Sequence, residues 1–312
     1  MHRIGYVLSD GFQMLALGTQ TVFECANQVT GSAFYAIENF SADGGGVRTS
    51  LGLSVDTRPL GRGSRADTWI VAGVNDPLAN PAPPGVLRFL RQRGLQARRV
   101  AGVCTGGFVL AEAGLLAGRR ATTHWAFARD LRDRFDGIRV EDDRIFVVDG
   151  PVWTSAGMTA GLDLALAMVE QDLGNEVARS VARKLVMPQH RSGGQSQHSE
   201  MLALAPKSDR IQGVLAYARQ NLARALSVED LAAQANLSPR QFSRVFTAET
   251  GQSPARAVEA LRLEAARLMI ERSRHPMEVI AKETGFRDRR HLREVFLRGF
   301  GTPPQAVRRA VR

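Results

Sequence analysis

Residues 226–254 and 276–304 carry one pattern twice, and that repeat commits the last third of the chain to two copies of a helix, a tight turn and a second helix. Phe246, Gly251 and Pro254 of the first copy correspond to Phe296, Gly301 and Pro304 of the second. In the first copy Ser227 with Asp230, and Ser238 with Gln241, place side-chain oxygens over the unpaired amides of a first helical turn. Pro239, at a first helical position, has no amide to lose there. Ala235-Asn236-Leu237 and Gly285-Phe286 form the turns, and Gly285 suits a positive φ. At helical spacing Ala232, Leu237, Phe242 and Phe246 make one apolar stripe, and Ala281, Phe286, Leu292 and Phe296 make another.

Charge follows the same division. Residues 207–312 hold 20 Lys and Arg against 11 Asp and Glu, whereas residues 1–206 hold 21 against 20. A basic block built from paired short helices has the electrostatic footprint of a surface for double-stranded DNA. The competing reading is a solvated basic helical domain with no nucleic-acid partner. The outward face of each second helix offers the candidate contacts: Arg240, Gln241, Ser243 and Arg244, then Arg287, Arg289, Arg290 and Arg293. Arginine grips guanine edges or phosphates, and glutamine reads adenine. A helix expected over 254–272 spans about 28 Å, which suits two reading helices in successive major-groove turns about 34 Å apart.

The first 186 residues read differently. Short β-branched runs at 3–8, 33–39, 68–72, 99–103, 145–148 and 152–155 alternate with helical patterns at 19–29, 85–93, 106–116, 125–134, 159–172 and 175–186. That alternation predicts an α/β fold with a largely parallel sheet. A polar, aperiodic stretch at 187–207 reads as a linker to an all-α domain at 208–312. No apolar run is long enough to span a bilayer and the N-terminus lacks a leader pattern, so a cytoplasmic protein with no membrane partner is expected. Cys25 and Cys104 are too few for a disulfide framework and do not form a zinc pattern; no metal or cofactor is expected.

Cys104 stands between a strand and a helix in the frame Gly102-x-Cys104-x-Gly106. Flanking glycines permit a sharp turn that presents a side chain, and a following helix N-terminus favours a thiolate. His124, twenty residues on, completes the minimum pair for nucleophilic catalysis. Two readings stay open. The cysteine is either a nucleophile served by His124, or a small side chain filling a tight strand-to-helix junction while His124 caps a helix.

The C-terminal repeat resembles the AraC/XylS-type DNA-binding domain, with Gly285-Phe286, Phe296, Gly301 and Pro304 carrying its second-unit signature. It departs from that pattern at Arg290 and Leu292, where a small polar residue and an aromatic are common, and at Glu294, where a basic residue is frequent. Residues 1–186 resemble the PfpI-like, class I glutamine amidotransferase-type domain through GVCTGGFVLAEAGLLAGRRATTHW and VWTSAGMTAGLDLALAMVE. The combination, with VARKLV at 181–186 and RSGGQ at 191–195, resembles the GlxA family of regulators.

The resemblance implies a flavodoxin-like three-layer sandwich followed by two helix-turn-helix units. It further implies a homodimeric, ligand-responsive regulator that works with RNA polymerase, an activator of a catabolic operon for an amino acid or quaternary amine. Hydrolytic relatives support the cysteine with an acidic residue after the first strand; LALGT at 15–19 offers none, leaving only Asp10 or Glu24 nearby, and Thr105 stands where many place histidine. The amidotransferase-like domain is therefore expected to be non-catalytic. Ligands of open α/β sheets bind at the carboxyl ends of the strands, here Asp10, Gly11, Phe12, Gly73, Val74, Asn75, Cys104, Thr105, His124 and Trp125. The rival functions are a thiol hydrolase or amidase using Cys104 and His124, fused to a DNA-targeting module, and an architectural DNA binder with no effector.

Overall fold

The computed structural model describes residues 1–187, 208–300 and 303–310, with only the backbone described at 271, 272, 309 and 310. The chain folds as two compact units that divide between residues 197 and 198. The linker expected at 187–207 lies outside the described residues from 188 onward, and so does the RSGGQ motif.

In the first unit the strands are β1 (His2–Val7), β2 (Tyr35–Ser41), β3 (Gly45–Arg48), β4 (Ser54–Pro59), β5 (Thr68–Ala72), β6 (Arg99–Val103), β7 (Arg120–Ala121), β8 (Arg139–Val140), β9 (Phe146–Asp149) and β10 (Val152–Ser155). Eight of them form one sheet in the order β3-β4-β2-β1-β5-β6-β10-β9, and β7 pairs with β8 separately. The centre of the sheet is parallel throughout, while β3 and β9 run antiparallel to their neighbours at the two edges.

Alternation along the central strands sorts the core into two halves. Ile4, Tyr6, Ile70, Ala72, Ala101 and Val103 face helices α1 (Leu15–Thr30), α5 (Met158–Leu173) and α6 (Asn175–Lys184). Val7, Trp69, Val71 and Val100 face α2 (Pro84–Arg93), α3 (Gly106–Glu112) and α4 (Ala128–Arg134). Both faces are covered, which makes the flavodoxin-like three-layer sandwich. The sequence pattern did not disclose the β3-β4 hairpin, whose residues are mostly exposed, or the two-residue strands β7 and β8. The helix expected to run to 116 is shorter: α3 stops at Glu112 and the chain turns through Gly114, φ +75. The stretch expected as one helix at 125–134 is a 3-10 turn, Trp125–Phe127, followed by α4.

The second unit is helical: α7 (Asp209–Gln220), α8 (Val228–Gln234), α9 (Pro239–Thr250), α10 (Pro254–Arg272), α11 (Met277–Glu283), α12 (Arg289–Phe300) and α13 (Pro304–Ala310). It holds two separate apolar clusters. Ile211, Val214, Leu231, Ala232, Phe242 and Phe246 pack with Val258 and Leu261 from the first half of α10. Ile280, Ala281, Phe286, Leu292 and Phe296 pack with Ala266 and Ile270 from its second half. Each cluster is one helix-turn-helix core, so both apolar stripes anticipated from spacing point inward. No helix among the described residues is long and apolar enough to cross a membrane.

Candidate nucleic-acid interface and effector cleft

The first helix pair is held by two reciprocal caps. Ser227 Oγ accepts from the Asp230 amide at 3.1 Å while the Asp230 carboxylate accepts from the Ser227 amide, also at 3.1 Å, and these bonds hold the Asp230 carboxyl below its ordinary range. Ser238 and Gln241 repeat the arrangement at the start of α9, with Gln241 Oε1 accepting the Ser238 amide at 3.3 Å. Gln241 thus has a task in the helix start besides the base contact expected of it. Ser243 is half-buried. Arg240 and Arg244 are exposed and form no ion pair among the described residues.

The second pair differs in two ways. In the first turn Asn236 takes φ +53 and the Leu237 amide bonds Ala232 O at 3.0 Å; in the second, Gly285 takes φ +76 and the Phe286 amide bonds Ala281 O at 2.8 Å. Ser238 caps α9 directly after Leu237, but Arg287 intervenes between Phe286 and the cap Asp288, whose Oδ1 accepts the His291 amide at 2.7 Å. The second turn is therefore one residue longer than the first. That bond from the His291 amide, reinforced by the Arg287 guanidinium, holds the Asp288 carboxyl below its ordinary range.

The second difference is charge pairing around the start of α12. Arg287 pairs with Asp288 at 3.2 Å, Arg289 with Glu278 at 3.3 Å and Arg290 with Glu294 at 3.0 Å. Of the four arginines expected to face DNA here, only Arg293 is exposed without an ion pair among the described residues. Exposed pairs are worth about 0–1 kcal/mol and can be exchanged for phosphate, but each puts a carboxylate on the face expected to meet DNA.

In the first unit β6 leads through Cys104 into α3. Cys104 has φ +56, the strained backbone of a nucleophile elbow, and Gly106 is required beside it because a Cβ there would lie 2.2 Å from Val71 O. The elbow does not expose its side chain: Cys104 is 2% accessible, and burial pushes its thiol up to about 11. Gln13 is the polar side chain that reaches the Cys104 thiol, and Gln13 Oε1 has no hydrogen-bond partner among the described residues. The sequence offered no carboxylate at 15–19 and left only Asp10 or Glu24 nearby; the side chain that reaches the thiol is that of Gln13, an uncharged amide in the bend just before α1. His124 Nδ1 accepts from the Ala126 amide at 3.3 Å, capping the 3-10 turn, and its ring lies beside Trp125. Iodoacetamide is expected to modify Cys104 very slowly at pH 7. The rate should rise about tenfold per pH unit toward pH 11, and rapid labelling at neutral pH would contradict a buried, protonated thiol.

The cleft at this edge of the sheet has a volume of about 330 Å³. Asp10, Val74 and Thr105 line it, and Thr105 Oγ1 donates to Val74 O at 2.5 Å. Gly11, Gly73, Asn75, Cys104, His124 and Trp125 are not among its lining residues, and Phe12 is fully buried in the core. The rest of the wall comes from Ser9, Ala72, Phe108, Val109, Glu112 and the loop carrying Pro77, Pro81 and Pro83. The clustered prolines of PLANPAPP at 77–84, a stiff segment just beyond a strand end, were the available signal for that wall.

Comparison with known proteins agrees with both halves. The profile described as "Helix-turn-helix domain" matches residues 231–310, and the DJ-1/PfpI family profile matches residues 32–171. The HTH-type transcriptional regulator GlxA of Rhizobium meliloti is 30% identical over 99% of this chain and 96% of its own length. An isonitrile hydratase of Pseudomonas putida is 46% identical over 99 residues, which are 32% of this chain and 42% of that protein. The crystal structure of an AraC family transcriptional regulator from Pseudomonas putida superposes with a TM-score of 0.53 at 22% identity, covering 59% of this chain and all of that one. At that identity the likeness shows the fold alone.

Proposed function

The chain belongs to the GlxA-type transcriptional regulators, which join a DJ-1/PfpI domain to an AraC-type helix-turn-helix domain, and from that premise we propose that it is a ligand-responsive activator of a catabolic operon. On this reading residues 1–186 sense a small nitrogenous metabolite and dimerise, and residues 208–312 bind the promoter in the cytoplasm and recruit RNA polymerase. An effector acts by binding the active and inactive states with different affinity.

The observation that carries the DNA-reading part is the contrast between the two second helices. Arg240 and Arg244 project from a doubly capped helix with no carboxylate engaged to them among the described residues, whereas Arg287, Arg289 and Arg290 are each paired within the protein. The first unit reads bases and the second supplies grip. Arg244→Ala is expected to weaken binding to the specific promoter by about 1–3 kcal/mol, and Arg290→Ala by less than about 1 kcal/mol. Gel-shift titrations on promoter and random duplexes at one salt concentration check this; an equal loss on both duplexes assigns Arg244 to phosphate.

The effector part rests on the cleft. Its walls mix prolines and Phe108 with the polar Ser9, Asn80 and Thr105, its only ionisable lining side chains are Asp10 and Glu112, and its volume suits a small ligand. Asp10 Oδ1 takes the Arg48 amide at 3.0 Å and Glu112 Oε2 takes the Ala82 amide at 3.0 Å, leaving a second oxygen of each for a ligand. Two carboxylates in a cleft without a basic lining residue suit an amine. A thermal-shift screen of small amines and amino acids should stabilise the parent protein, and Glu112→Gln should reduce the shift by at least half. Stabilisation by anions alone would assign the cleft a different ligand class.

The enzyme alternative has little physical support. A thiol held protonated at neutral pH beside an uncharged Gln13 lacks the activation that nucleophilic catalysis requires. The amidotransferase-like domain is therefore read as a binding domain.

A further inference from the structure

The geometry points to Arg262 as a positioning residue that fixes the register of one helix-turn-helix unit against the other. The two apolar clusters of the second unit share no residue, and α10 runs through both. A lone helix is a weak means of fixing orientation, because its curvature and its packing at each end adjust independently. Arg262 lies between the two halves of α10, one residue after Leu261, the last contributor to the first cluster.

Its guanidinium supplies a second attachment. Arg262 Nε donates to Leu222 O at 3.1 Å and Arg262 Nη2 donates to Arg224 O at 2.6 Å, gripping the segment that enters the first helix-turn-helix. A planar fork holding two carbonyls fixes direction as well as distance, which a rotatable ammonium cannot do. The second unit's turn closes on the same point: a Cβ on Gly285 would lie 1.9 Å from Leu222 O and 2.7 Å from Arg262 Nε. Three segments therefore meet at one side chain, namely residues 222–224 of the first unit, the middle of α10, and the turn that aims α12. An ion pair does bridge α10 and α12 directly, Arg298–Glu259 at 2.8 Å, but it is exposed on both sides and holds little.

The consequence is a rigid spacing between α9 and α12, and with it a rigid demand on the spacing of the two DNA segments they occupy. One inserted base pair moves the far segment by about 3.4 Å and rotates it by about 35°. A clamped domain rejects that shift, and an unclamped one tolerates it.

The test uses the full-length protein and a duplex selected by it from random sequence, alone and with one base pair inserted between the two contacted segments. The parent should lose at least about 100-fold in affinity on the inserted duplex. Arg262→Ala should bind the uninserted duplex about tenfold more weakly and lose less than about tenfold on insertion. Arg262→Lys, which keeps the charge and stem but not the fork, should fall between them and serves where the alanine variant does not fold. Arg298→Ala should behave as the parent. A penalty for insertion as large in the Arg262 variants as in the parent overturns the proposal, whatever their stability.

Discussion

Asp172→Ala is expected to destabilise the first unit by about 3–5 kcal/mol, because it leaves a buried guanidinium without its partner. The Asp172 side chain is fully buried at the end of α5, paired with Arg99, itself 1% exposed, and with Arg98 at 2.8 Å. Tyr35 donates its hydroxyl to Asp172 at 2.9 Å, and burial beside that carboxylate raises the Tyr35 phenol far above its ordinary value. Arg99 also donates to Thr68 at 2.9 Å and to Gln171 at 2.8 Å, while its guanidinium lies over the Trp153 ring. With His2 of β1 bonded to Thr68 at 2.9 Å, the cluster joins β1, β2, β5, β6 and α5 at the strand ends opposite Cys104, so its loss reports on folding and not on ligand binding. Urea unfolding followed by tryptophan fluorescence measures it, and a loss below about 1 kcal/mol would show the pair to be replaceable. Asp172→Asn, which keeps two bonding atoms, should cost less. The same cluster sets an acid limit: burial lowers the His2 pKa below 6.5, so the fold holds the neutral ring. Its contribution is complete above pH 6.5 and is lost as pH falls through the folded-state value.

Why was this cluster illegible in the sequence when the helix-turn-helix repeat was plain? Local chemistry carries the repeat: a serine cap, an apolar stripe and a turn residue all fall within a dozen positions. Arg99 and Asp172 are far apart in sequence, and only the parallel pairing of β5 with β6 brings Thr68 opposite Arg99. The central strands were legible because both faces are buried and they read as apolar runs. The exposed β3-β4 hairpin, with its glycines and charges, gave no such run. The candidate site divides in the same way. Arg240 and Arg244 could be placed on an outward face by helical period, but the partners of Arg287, Arg289 and Arg290 depended on rotamers and on a one-residue insertion in the second turn. Gln13 stayed hidden for a chemical reason, since a carboxylate is the group expected to support a reactive thiol and this position carries an amide.

Gly285→Ala is expected to cost the second helix-turn-helix about 3 kcal/mol or more, and a second glycine separates the two causes. An alanine in the left-handed region costs about 1–2 kcal/mol through its own backbone. Gly251, at φ +72 after α9, has nothing within 4 Å of where a Cβ would stand, so Gly251→Ala carries that backbone cost alone. At Gly285 the methyl meets Leu222 O and the Arg262 guanidinium at 1.9 and 2.7 Å, and relieving an overlap of that size adds about 1–3 kcal/mol. Gly285→Asn tests the division from the other side. Asparagine tolerates positive φ, as Asn236 does at φ +53 in the first turn, yet it still carries a Cβ into Leu222 O. It should therefore recover part of the backbone cost and none of the overlap. Amide hydrogen exchange across 277–300 measures the effect directly, because exchange reports opening segment by segment. Equal losses for Gly251→Ala and Gly285→Ala would mean that the turn gives way without strain, and that the three segments around Arg262 are held less tightly than their geometry implies.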